Sequence, residues 1–140
     1  MRLNQPHTNG ILSLTAGEAI SAGEVVCFLN PSEEYDGSVY KCPDEGSVLR
    51  VPFGVAMEDV EAGDAFSVAS LSAVAGTLKV KLQSAVTKVG HPLTAAPRAK
   101  EYVFGQGWAT WMIGTALETG VAGELIEFAP ATPAFADLTP

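Results

Sequence analysis

One internal repetition constrains this chain more than any other feature. Residues 54–69 read GVAMEDVEAGDAFSVA and residues 114–129 read GTALETGVAGELIEFA. Without a gap, Gly54, Ala56, Glu58, Ala62, Gly63 and Ala69 recur as Gly114, Ala116, Glu118, Ala122, Gly123 and Ala129. Met57, Asp64, Phe66 and Val68 recur as the similar Leu117, Glu124, Ile126 and Phe128. Chance would supply about one or two identities in such an Ala- and Gly-rich window. A weaker copy over 16–28 keeps Ala16, Glu18, Ala22, Gly23 and Glu24 before Val25, Val26, Cys27 and Phe28. Each copy describes a strand, a crossing with a Glu near its start, an Ala-Gly-acid turn and a second strand. Glycine supplies the positive φ or close approach that such a turn needs. The acid is expected to face water at the turn.

The rest of the chain agrees with a β reading. Apolar residues come in short runs rich in Val, Phe and Ile, cut by Gly, Pro and Asp, and rarely recur at helical spacing. Strands are predicted at 11–14, 24–29, 39–41, 48–56, 65–69, 78–82, 102–104, 108–116 and 125–128. The alternation Leu78-Lys79-Val80-Lys81-Leu82 predicts one buried face, with both lysines solvated. Residues 92–100 hold Pro92 and Pro97 without an apolar stripe and are read as a loop with at most one helical turn. The expected fold is all-β: a sandwich or barrel-like domain of short strands over 11–129, with an extended N-terminal arm at 1–10 and an extended C-terminal tail at 130–140. Three prolines, Pro130, Pro133 and Pro140, motivate the tail.

Composition narrows the function classes. Hydrophobic residues are 47% and charged residues 17% of the 140-residue chain, enough for a core and too apolar for wholesale disorder. Net charge is −8, and the eight Lys and Arg are scattered. Phosphate backbones require clustered positive charge, so nucleic acid is not an expected partner. No apolar stretch is long enough for a bilayer and the N-terminus has no signal-like apolar region, so neither a membrane nor secretion is expected. Cys27 and Cys42 fit no zinc spacing and read as two small buried hydrophobes. No His-x-x-x-His, Gly-x-Ser-x-Gly or phosphate-binding loop occurs, and the acidic runs at 33–36 and 58–61 resemble solvated turns more than a calcium loop. No enzyme activity, catalytic residue, metal or cofactor is expected. Trp108 and Trp111 stand three apart, on opposite faces of a strand, and are candidate interface residues.

Taken in order, Gly54-Val55-Ala56, Ala62-Gly63-Asp64, Gly114-Thr115-Ala116-Leu117-Glu118 and Ala122-Gly123-Glu124-Leu125-Ile126 resemble tailed-bacteriophage capsid decoration (cement) proteins. They are similar to a small family that carries a domain of unknown function and is encoded near the major capsid protein. The resemblance implies a β-rich homotrimer on the outer surface of a virion capsid, assembled in the bacterial host cytoplasm. Its partners would be the major capsid protein and other copies of itself, and its role to stabilise the head. The arm residues Arg2, Leu3, Asn4, Gln5 and Pro6 are then the first candidates for a capsid or neighbour-subunit contact. Two other classes remain open from the residues alone. One is a carbohydrate- or receptor-binding β module on a virion using Trp108 or Trp111. The other is a hydrolase with a Glu58 and Glu118 dyad, although a shared turn role explains that pair more simply.

Overall fold

A computed structural model describes residues 10–44, 50–102 and 110–136. Over these residues the chain is all-β, in two antiparallel five-stranded sheets. The first sheet holds β1 (Ile11–Thr15), β2 (Val25–Leu29), β3 (Tyr35–Lys41), β4 (Gly54–Ala56) and β5 (Ala65–Ser70). The second holds β6 (Leu78–Lys81), β7 (Pro92–Thr94), β8 (Lys100–Glu101), β9 (Thr110–Ala116) and β10 (Leu125–Ala136). Their spatial orders are β1-β5-β4-β2-β3 and β6-β10-β9-β7-β8. Adding five to each label of the first order produces the second, so the chain is a duplication of one five-stranded half.

Registers agree strand by strand. Gly54 pairs with Ser70, Val55 with Ala69 and Ala56 with Val68, and Gly114 pairs with Pro130, Thr115 with Ala129 and Ala116 with Phe128. Leu14 opposite Phe66 in the first half becomes Val80 opposite Ile126 in the second. Parallel bridges, Ala16 to Val39 and Leu82 to Ala99, draw the outer strands of each sheet together and curl it. The interiors correspond as well. Ala16, Ile20, Val26, Val39, Ala56, Phe66 and Val68 form a buried cluster in the first half. Their counterparts Leu82, Val86, Leu93, Ala99, Ala116, Ile126 and Phe128 are buried in the second. Val25, Cys27, Cys42, Val55 and Leu71, on the other layer of the first half, join this second cluster. Burying that shared layer is what holds the halves together.

Several features of the sequence reading change, among them the strand predicted at 48–56, which among the described residues is confined to Gly54–Ala56. Residues 92–100 are not a loop or helical turn throughout, because β7 occupies Pro92–Thr94 and β8 begins at Lys100. Pro92 starts its strand, where a missing N–H is tolerated. The C-terminal tail reading is corrected for 130–136, which continue β10 to Ala136 along β9. A register shift between Pro130 and Ala134 absorbs the prolines. The alternation over 78–82 holds, with Val80 and Leu82 buried, Lys79 exposed and Lys81 half-buried.

Candidate functional site

The sites that shape this molecule's surface are its corners, the crossings that follow β1, β4, β6 and β9. In each half two corners grip each other across a local two-fold. In the first, Ile20 and Val60 exchange backbone bonds of 3.0 and 2.8 Å, and the N–H groups of Gly63 and Gly23 donate to the carbonyls of Ala16 and Ala56 at 2.7 and 2.8 Å. In the second, Val86 and Gly120 exchange bonds of 2.9 and 3.2 Å, and Gly123 and Gly90 donate to Leu82 and Ala116 at 2.7 and 2.8 Å. Four turn glycines, Gly23, Gly63, Gly90 and Gly123, have φ between 88° and 93°, where a Cβ would be strained. Gly54 and Gly114 meet a different demand: a Cβ on either would collide with the carbonyl oxygen of Ala69 or Ala129 on the paired strand.

In two of the three Ala-Gly-acid steps the acid bonds the backbone of its own turn. Glu24 Oε1 accepts the N–H of Ser21 at 2.6 Å, and Glu124 Oε1 accepts that of Val121 at 2.8 Å. Glu124 is exposed, but Glu24 is buried, with its Oε2 3.8 Å from Arg98 Nε of the second half. The expectation of a water-facing acid therefore fails at Glu24, where the other half covers the turn. The third corner has His91 after its glycine, and a neighbouring strand supplies the missing carboxylate. Glu101 of β8 accepts the N–H of Thr87, the counterpart of Ser21, at 2.5 Å, and its other oxygen lies 2.7 Å from His91 Nδ1. Burial pushes the Glu101 carboxyl up, but hydrogen bonds from the Thr87 N–H, His91 and the Thr87 hydroxyl outweigh it and hold the group below its ordinary range.

Around the second corner, Glu58, Asp59, Glu61 and Asp64 ring a shallow depression of about 310 Å³ that also touches Ala65. Its counterpart at the fourth corner is apolar by comparison, exposing Leu117, Val121 and Leu125. An apolar groove of about 400 Å³ lies where the halves meet, between Gly23, Met57, Leu78 and Leu125. Among the described residues, no three His, Cys, Asp or Glu gather in an arrangement that could hold a metal ion.

The sequence-derived candidates are distributed as follows. Arg2, Leu3, Asn4, Gln5, Pro6 and Trp108 lie outside the described residues. Trp111 is half-buried on β9, with its ring centroid 5.0 Å from that of Phe135 on β10. Glu118 Oε1 accepts the N–H of Glu127 at 2.6 Å, whereas Glu58 lines the acidic depression of the other half. Cys27 and Cys42 are free and buried in the shared core. Burial pushes the Cys42 thiol well up, as does its hydrogen bond with Cys27. Sequence reasoning missed the Thr87, His91 and Glu101 group, and the only signal for it was a glycine, Gly90, where the other corners have theirs.

No protein-family model matches the sequence, and no curated protein matches it. Among solved structures, the chain is similar to the N base of the head fiber gp8.5 of bacteriophage phi29. The TM-score is 0.64 and the identity 20%, over 87% of this chain and 93% of the other. At that identity the shared property is the fold. The match covers nearly all of both chains, so the likeness takes in both halves of the duplication.

Proposed function

We propose that this chain is a structural virion protein, a decoration or cement protein that binds the outside of a phage capsid as a homotrimer and stabilises the head. The observation that carries the reading is the fold shared with the base of a phage head fiber over 87% of the chain. The corner architecture supports it. The conspicuous carboxylates Glu24, Glu101, Glu118 and Glu124 hold backbone N–H groups, and the reading involves no catalytic step or cofactor. The partner is the major capsid protein, and the first contact region is the arm that contains Arg2, Leu3, Asn4, Gln5 and Pro6. A contact of ordinary size buries roughly 800 Å² on each partner, about a tenth of the 7421 Å² of this chain.

The test is co-sedimentation of the purified protein with empty heads of its own phage, followed by heating. Saturable binding and a raised head-disruption temperature are expected, and deletion of residues 1–9 should weaken both. Heads that neither bind the protein nor gain thermal stability would overturn the reading. Binding to glycans, lost on Trp111→Ala, would favour a receptor-binding module instead.

A further inference from the structure

The two halves of the chain meet through unlike faces. The Gly23 carbonyl of the first corner accepts the N–H of Lys81 at 2.9 Å, and Val25 donates to the carbonyl of Pro97 at 3.1 Å. The approach at Gly23 is so close that a Cβ there would come within 2.5 Å of the Leu125 side chain. By the internal repeat, Gly90 is the counterpart of Gly23, Thr15 of Lys81 and Ala65 of Leu125. Halves related by a two-fold would also bring Gly90 against Thr15 within the same chain. Among the described residues no Thr15 to Gly90 bond is made, and the space beside Gly90 is open. The contact is therefore heterologous, and among the described residues each chain keeps one face of each kind uncovered.

We propose that the leftover faces meet between copies: the third corner of one chain docks on the Thr15 and Ala65 end of the first sheet in the next. Size supports the fit. The receiving face carries Ala65 where the internal one carries Leu125. The docking corner is correspondingly larger, with Thr87, Lys88 and Val89 in the place of Ser21 and Ala22, and Val89 is 62% exposed. Charge supports it too, because Ala65 borders the depression ringed by Glu58, Asp59, Glu61 and Asp64, and the docking corner carries Lys88. A heterologous contact closes into a ring when its rotation permits. This inference rests on the self-assembly in the proposed function and adds the surface through which it occurs.

The experiment places cysteines at two exposed positions of the full chain, Val89→Cys and Ala65→Cys, where the native thiols stay buried. Under mild oxidation with oxidised glutathione, the mixed variants should form disulfide-linked dimers and neither variant alone should do so. The double variant should give a closed covalent trimer. Lys88→Glu should lower the yield of the mixed dimer by about tenfold at low salt. Light scattering of the unmodified protein separates the two ideas. A trimer without the unlike cross-link, or with only like-to-like cross-links, overturns this contact and leaves the trimer standing. A monomer overturns both.

Discussion

At the scale of the residue, the same acid in the same motif does unequal work. Glu24 and Glu124 each accept one turn N–H, but Glu24 is 6% exposed and also faces Arg98. Removing a buried, hydrogen-bonded carboxylate strands its donors, so Glu24→Ala should cost about 3 kcal/mol. Glu124→Ala, where water can replace the lost acceptor, should cost about 1 kcal/mol. Urea denaturation of the two variants checks the ratio, and equal costs would mean that the turn alone matters. Glu101 makes a prediction about pH. Its carboxyl titrates lower in the folded chain than in the unfolded one, where the usual value is about 4.3. Its contribution is therefore complete above the unfolded value and is lost as pH falls through the folded value. The melting temperature of Glu101→Gln should be lower than that of the parent at neutral pH and should fall less between about pH 6 and pH 3.

At the scale of the element, β10 shows where sequence patterns mislead. Its first part, Leu125–Phe128, alternates an exposed Leu125 and Glu127 with a buried Ile126 and Phe128; the strand is legible in the sequence, but the exposure of the apolar Leu125 is not. Its second part has Pro130 and Pro133, which argue against a central strand. The strand survives because β6 pairs only with the first part, so the prolines lie beyond that ladder, and the register shift takes up the mismatch with β9. The same reasoning failed at β7, a three-residue strand that opens on Pro92 and is recognisable only from its place in the duplicated order. The extension has an energetic consequence in the contact of Phe135 with Trp111, whose rings are tilted by 58°. Phe135→Ala should destabilise the chain by about 1 kcal/mol and shift tryptophan emission to the red. Unchanged emission would mean that Phe135 does not shield Trp111.

At the scale of the whole molecule, half of the duplication was legible and half was not. The corners at 54–69 and 114–129 kept enough identity to be seen, because turn glycines and close-approach glycines tolerate few replacements. The corner at 82–92 kept Gly90 but gained a residue and moved its carboxylate to another strand, which erased the motif while preserving the bonds. The cores kept hydrophobicity but not residue type, as Ala16 and Leu82 or Phe66 and Ile126 illustrate. Despite the duplication, the halves are not expected to unfold separately. Val25, Cys27, Cys42, Val55 and Leu71 of the first half are buried in the same cluster as the interior of the second. Parting the halves would expose this layer and strand Glu24 from Arg98. Unfolding in urea should therefore be a single transition, coincident by far-UV circular dichroism and by the reactivity of Cys27 and Cys42 towards a thiol reagent. Thiols that react before the β signal is lost would show that the halves separate while each remains folded, and would place the weak point of the chain at the shared layer.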